Sequence, residues 1–180
     1  MDADNVEKKW LAIIGSRTPT EVQRSYITQL LQTLDPQSYA IVSGCAYGID
    51  ALALQYANQL GFETIGMLPW KNYNKDIQAY CTYVLEVDAL EEPSRRKAYE
   101  TVIEHHPAPK MLTQGARKLH ARNYAIIRWA SQVIAAPSSK PGGGGTGQGI
   151  RLAEALKIPV TLIKPDLQKE PILWEGLGPK

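Results

Sequence analysis

The stretch Tyr39–Leu60, "YAIVSGCAYGIDALALQYANQL", joins two different hydrophobic periods through a glycine turn. Tyr39–Gly44 is a short, apolar, β-branched run and reads as a buried strand. Gly48–Leu60 sets alanine and leucine at helical intervals and reads as a helix, with Gly61 placed as its C-cap. The same arrangement stands upstream. "WLAIIGSR" (Trp10–Arg17) is a strand ending in a Gly-Ser turn, followed by a helix over about Thr20–Leu34 with Thr20 as N-cap. Downstream, "FETIGML" is a third strand, a long helix runs over about Thr113–Ser131, and "QVIAAP" is another strand. "PVTLI", after the second glycine-rich turn, reads as the last central strand. Short apolar strands alternating with helices are the pattern of βαβ units and of a parallel sheet covered on both faces. The expected fold class is therefore α/β: a Rossmann-like, doubly wound, mainly parallel sheet with helices on both faces, in a single domain over residues 1–180. Two departures from the alternation are expected. Residues 70–112 read as an irregular helical insertion with a candidate strand "YVLEV" and a helix over Glu91–Glu104, and residues 165–180, with Pro165, Pro171 and Pro179, read as a surface strap.

Sheets of this kind bind ligands in the crevice outside the carboxyl ends of their strands. Three glycine-bearing turns, "GSR", "SGCAYGID" and "PGGGGTGQG", fall at that edge. Six of the ten residues of Pro141–Ile150 are glycine, which suits a loose linker as well as a phosphate cradle. The helix that follows tips the reading toward the cradle, because exposed N–H groups and the positive end of a helix dipole attract anions. Gly142 to Gly149 are thus expected to hold phosphate, with Gly144 and Gly145 in the loop and the Thr146 hydroxyl as a donor. In "SGCAYGID", Gly44 permits the tight turn and Gly48 the close approach of backbone. The spacing is G-x-A-x-G and not the dinucleotide fingerprint G-x-G-x-x-G, and Asp50 either caps the helix or accepts from a ribose hydroxyl.

Composition narrows the function classes. A 180-residue chain with 44% hydrophobic residues can bury one core. The polar, acidic start "MDADNVEKKW" does not resemble a secretory signal, and no apolar run approaches the roughly 18 residues that would span a bilayer. Two cysteines, Cys45 and Cys81, without metal-ligand spacing and too few for a disulfide scaffold, suggest a reducing, cytoplasmic setting. The net charge of +2 hides an uneven distribution: Ser94–Arg128 carries eight Lys/Arg against two acids, +6, while the rest sums to −4. A phosphate-bearing partner would use such a span, and so would a merely solvated helix face.

"IIGSRTPT" followed by "IVSGCAYGIDALA", and later "ARNYAIIRWASQVIAA", resembles the core of DNA-processing protein A (DprA), whose pattern is a GSR turn and then S-G-x-A-x-G-I-D. The wider group is the SLOG superfamily of nucleotide-binding Rossmann-like proteins. "HHPAPKMLTQGARKLHARN" with "GGTGQGIRLAEALKIPV" is similar to small DprA-like proteins of phages and mobile elements. The likeness runs from about Leu11 to Ile163. It implies that Gly15, Ser16, Arg17, Ser43, Gly44, Gly48, Asp50, Arg122, Asn123, Gly145 and Thr146 line the crevice, that the ligand is a nucleotide, a phosphate or single-stranded nucleic acid, and that edge-to-edge homodimers or larger homo-oligomers form. Tyr124 stands where the family has a second arginine after asparagine, and the family's extra helical and winged-helix domains are missing; both bear on its role in DNA recombination.

Several residues keep two readings. His120, Asn123, Tyr124 and Ile127 share one helix face, beside which Arg122 can offer a bidentate fork to phosphate and Asn123 can read a base or ribose. Trp70 and Tyr73, after the third strand, either stack on a base or cover the end of the core. His105, His106 and His120 lack metal-ligand spacing, so no metal is expected. Ser16 and Ser43 lack triad partners. The alternative to binding is cleavage or transfer of an N-glycosidic bond. Cytokinin-activating phosphoribohydrolases of the superfamily carry P-G-G-x-G-T-x-x-E, but Gly149 occupies the glutamate's place and Glu154 lies a turn too far. Only Asp50 could serve as a catalytic carboxylate.

Overall fold

The computed structural model describes residues 7–140 and 144–166. Six strands form one all-parallel sheet: β1 (Lys9–Gly15), β2 (Tyr39–Ser43), β3 (Glu63–Leu68), β4 (Tyr83–Glu86), β5 (Gln132–Ala136) and β6 (Val160–Leu162), in the order β4-β3-β2-β1-β5-β6. Strand pleating sends alternate residues to opposite faces. Leu11, Ile13, Ile41 and Ile134 meet α1 (Glu21–Thr33) and α2 (Ile49–Gln59) on one face. Ala12, Ile14, Val42, Val133 and Ala135 meet the other layer, α4 (Ser94–His105), α5 (Gln114–Ile127) and α6 (Gly144–Ala155). The fold is the doubly wound, Rossmann-like α/β class.

Local chemistry accounts for the helix starts. Thr20 and Gln23 form a reciprocal capping box at α1, with Gln23 N to Thr20 Oγ1 3.3 Å and Thr20 N to Gln23 Oε1 3.1 Å. Gln23 does more: its buried amide donates to Pro137 O at 2.7 Å and Ile163 O at 2.8 Å, holding the chain just past β5 and β6. Thr113 caps α5, and α2 ends as expected at Gly61, whose φ is +86°.

Two segments differ from the sequence reading. "PVTLI" supplies an edge strand of three residues with Leu162 exposed, not a central one. The long helix stops at Ile127, where Arg128 becomes its C-cap, so that Ser131 N can donate to Trp10 O and start β5 in register. Residues 70–112, expected as an irregular helical insertion with a strand at "YVLEV" and a helix over Glu91–Glu104, contain that strand as β4 at one edge of the sheet and that helix as α4, which packs on α5, together with the short helix α3 (Lys75–Gln78) and two 3-10 turns. The expected strap falls largely outside the described residues; within them, Pro165 O accepts from Thr20 Oγ1 at 3.2 Å.

Candidate functional site

The chain enters the sheet at its centre, and the connections leave β1 and β5 in opposite directions. That divergence opens a crevice at their carboxyl ends. A cavity of about 490 Å³ lies there, lined from β1 by Gly15, Ser16, Arg17 and Thr18, from the turn after β2 by Ala46 and Asp50, from α5 by His120, Arg122 and Asn123, and beyond β5 by Ser138, Lys140, Gly144, Gly145 and Thr146. Backbone bonds stitch the turns together: Ser16 N donates to Ala136 O at 2.8 Å and Ile49 N to Ser16 O at 3.1 Å. All three glycine turns therefore reach one rim.

Arg122 and Asp50 organise the floor. Both are buried, and both touch the position a Cβ on Gly44 would take, at 2.7 Å for Arg122 Nη1 and 2.9 Å for Asp50 Oδ2, so they face each other across that glycine. Arg122 donates to Gly44 O, and to Met67 O at 3.4 Å, with its guanidinium 5.6 Å above the Tyr73 ring. Asp50 Oδ2 accepts from Gly44 N at 3.1 Å and Ala46 N at 3.3 Å. Burial pushes the Asp50 carboxyl above its ordinary range; Arg122 and then the two amides pull the other way. Asp50 thus ties the turn after β2 to its helix while facing the cavity. The Nε of Arg122, Nδ1 of His120 and Nε2 of Gln148 are shielded from solvent and find no partner in hydrogen-bonding geometry among the described residues.

Asn123 donates to Gly145 O at 3.1 Å and Gln148 Oε1 at 2.6 Å, fastening the first turns of α6 to α5. Its amide nitrogen is engaged there while the residue lines the cavity wall. The helix itself begins earlier than the glycines suggest. Gly144 to Gly149 are helical, and Gly149 packs under Ile14 and Ile127, so the cradle expected over Gly142 to Gly149 becomes a helix N-terminus whose first residues line the crevice. Gly142 and Gly143 lie outside the described residues.

Two residues expected at the ligand turn inward. Ser43 is fully buried and donates to Ile13 O at 2.6 Å, tying β2 to β1. Tyr73 is buried beneath Arg122 and edge-on to Trp70, leaving no face for a base; Trp70 is 37% exposed, beside Gly115 at the start of α5. Gly48 lies outside the lining and fits the turn against Ser16 and Arg17. The concentrated positive charge also has a different use. Arg95 pairs with Glu92 at 3.0 Å, Arg96 with Glu100 at 3.6 Å and Lys118 with Asp88 at 2.8 Å on the helical layer, and of the eight bases only Arg122 lines the cavity. Lys140 and Ser138 line it without having been singled out by motif. Their position just past β5, next to β1 at the switch point, was the available signal.

His106 and His120 rings lie 4.8 Å apart, and no cluster of three or more His, Cys, Asp or Glu suited to a metal occurs among the described residues. Burial holds the His120 imidazole below its ordinary range, with His106, Arg122 and Arg151 adding to the effect. A depressed folded value means that this group's stabilisation is present above the unfolded value, near 6.5, and is lost as pH falls through the folded one. The thermal midpoint is therefore expected to drop between about pH 7 and pH 5, and His120→Gln to flatten that part of the profile in a pH series of melting curves. No helix among the described residues is long and apolar enough to cross a membrane.

The sequence matches the model of the DNA recombination-mediator protein A family over residues 2–170. Among solved structures, DNA processing protein A from Streptococcus pneumoniae superposes with a TM-score of 0.63 at 24% identity, covering 97% of this chain and 54% of that one. The Helicobacter pylori protein, described for its single-stranded DNA binding mode, gives 0.63 at 22% identity over 99% of this chain and 78% of that one. The molybdenum cofactor binding protein of Rippkaea orientalis gives 0.60 at 21% identity over 89% of this chain and 78% of that one. No curated protein matches the sequence. The chain spans about half the length of the pneumococcal protein. A doubly wound sheet with its glycine turns gathered at one rim, matched almost end to end by a single family, makes this chain a member of the DNA recombination-mediator protein A family.

Proposed function

We propose that the crevice binds a phosphate-bearing ligand, either a nucleotide or single-stranded nucleic acid, without transforming it. The observation that carries this reading is the cavity wall itself: Arg17, Arg122 and Lys140 bring positive charge, Ser16, Thr18 and Thr146 bring hydroxyls, and the N-terminus of α6 contributes its dipole, all around one open volume. The family and the DNA-binding H. pylori relative support it. Asp50 or Asn123 would meet the sugar or base, and Trp70, outside the lining, would offer its exposed ring to a neighbouring base.

Salt dependence separates the two ligand classes. Arg17 is exposed, so Arg17→Ala should leave the melting temperature unchanged, weaken oligonucleotide binding and reduce the slope of log K against log salt by about 1; Lys140→Ala should do the same. Fluorescence anisotropy across a salt series with oligothymidylates of rising length reads this directly. Unchanged slopes in both variants would remove the phosphate contacts, and affinity independent of length would assign the crevice to a mononucleotide. N-glycosidic chemistry would need Asp50 to attack the sugar or protonate the leaving base, whereas its Oδ2 already accepts from two amides. Release of free base from nucleoside monophosphates would establish that chemistry instead.

A further inference from the structure

The two cysteines, 36 positions apart in sequence, are brought into contact. Cys45 Sγ and Cys81 Sγ lie 3.7 Å apart, stacked over Gly66 of β3. A Cβ on Gly66 would come within 2.6 Å of one sulfur and 2.7 Å of the other, so the absence of a side chain there makes the space both thiols occupy. Cys45 is buried in the turn after β2 with φ +57°, a left-handed conformation uncommon for a residue with a side chain, and Asn74 Nδ2 fixes its carbonyl at 3.0 Å. Cys81 is partly exposed at the foot of β4, its sulfur 3.9 Å from Ile77 O. One thiol is thus reachable from solvent and the other sits directly behind it.

We propose that Cys45 and Cys81 are a redox modification site, closed to an intramolecular disulfide by a hydroperoxide and coupled to the rim of the crevice. The chemistry balances in two steps. The Cys81 thiolate attacks the peroxide O–O bond, forming a sulfenic acid and releasing hydroxide or alkoxide, which takes up a proton. The Cys45 sulfur then attacks the Cys81 sulfur, an S–S bond replaces the S–O bond, and the Cys45 proton leaves with the hydroxyl as water. Both sulfurs are oxidised by one electron each, and the peroxide takes both. The Cys45 thiol, donating toward Cys81, lowers the Cys81 value, which favours Cys81 as the first nucleophile. An S–S bond is about 2.05 Å long, so closure draws Cys45 toward Cys81. Cys45 is flanked by Gly44 and Ala46, the two residues whose amides hold Asp50, so the movement is transmitted to the Arg122–Asp50 floor.

The test needs no ligand, so it stands apart from the binding reading. The purified chain is treated with hydrogen peroxide, and free thiols, intact mass and backbone amide NMR shifts are followed. The expected result is loss of both thiols with a mass decrease of two hydrogens, reversal by dithiothreitol, and shifts at the Gly44 and Ala46 amides; Cys81→Ser should keep its single thiol and unchanged amide shifts under the same treatment. Two thiols persisting, an intermolecular disulfide, or a mass gain from Cys81 sulfinic acid would overturn the site. A disulfide formed without movement of the Gly44 and Ala46 signals would overturn its coupling to the crevice.

Discussion

Gly48→Ala is expected to lower the thermal midpoint by about 10 °C or to leave the chain unfolded. Gly48 has φ +84° immediately before α2, where an L side chain costs roughly 1–2 kcal/mol in backbone strain. The new Cβ would overlap the Ser16 carbonyl oxygen and come within 2.6 Å of Arg17 Cα and 2.7 Å of Arg17 C. These are backbone atoms of the turn after β1, and they cannot swing aside as a side chain end would. Relief requires the turns after β1 and β2 to part, which breaks the 3.1 Å bond from Ile49 N to Ser16 O, at a further cost of about 1 kcal/mol. Strain and the lost bond together cost about 2–3 kcal/mol, to which the backbone overlap adds, and in a domain of this size each kcal/mol moves the midpoint by about 2–4 °C. Gly61→Ala is the control: φ is +86°, but nothing lies within 4 Å of the added carbon, so only the strain remains. Calorimetry that found the two variants equally stable would refute the stitching of the first two turns.

Arg122→Ala should destabilise by about 3–5 kcal/mol, because it strips a buried carboxyl of its countercharge and leaves Gly44 O and Met67 O without their donor. The pH dependence distinguishes this from simple loss of packing. Asp50 already has its folded value raised by burial, and Arg122 is the largest influence holding it down. Without Arg122 the value rises further. A raised carboxyl value contributes stability that is present below the unfolded value, near 3.9, and is lost as pH rises through the folded one. The variant should therefore melt progressively lower than the parent as pH is raised above about 4, and adding Asp50→Asn should remove that slope. The double replacement should also be less damaging than the sum of the single ones, since neither charge is then left alone. Parallel pH profiles for Arg122→Ala and the parent would show that the two groups do not sense each other. Binding of oligonucleotide by the double variant, which keeps the floor neutral, would then report whether Arg122 itself meets phosphate; at least tenfold weaker binding is expected.

Much of this architecture was legible in the chain because single positions dictate it. The β-branched runs at Ile13–Ile14, Ile41–Val42 and Val133–Ile134 have no reading other than buried strands, and Thr20 followed by Gln23 marks the start of α1 without further context. The family motifs found the rim for the same reason: Gly15, Gly44 and Gly48 sit in turns whose backbones must nearly touch. What stayed hidden depends on distant partners. Glycine is a poor helix former, so nothing local announces that α6 begins at Gly144; Asn123, from another helix, clamps its first turns. Tyr73 looks like a surface aromatic until Arg122 is laid over it. The basic cluster of α4 looks like an anion site until Glu92, Glu100 and Asp88 are placed beside it, and surface pairs of this kind add little stability. Contact between Cys45 and Cys81 follows from sheet order and from the space left by Gly66 between them, which no spacing rule encodes.

The central position of β1 also governs when the crevice can exist during synthesis. Leu11 to Gly15 pair with Gln132 to Ala136, so one wall is contributed by the first strand made and its neighbour by nearly the last. Closing so long a loop is slow relative to local helix and hairpin formation. A nascent chain halted ahead of Gln132 would carry β1 to β4 with an unpaired flank on β1 where β5 belongs. Ribosome-bound intermediates of this protein should accordingly be ligand-blind and vulnerable to protease until β5 has emerged.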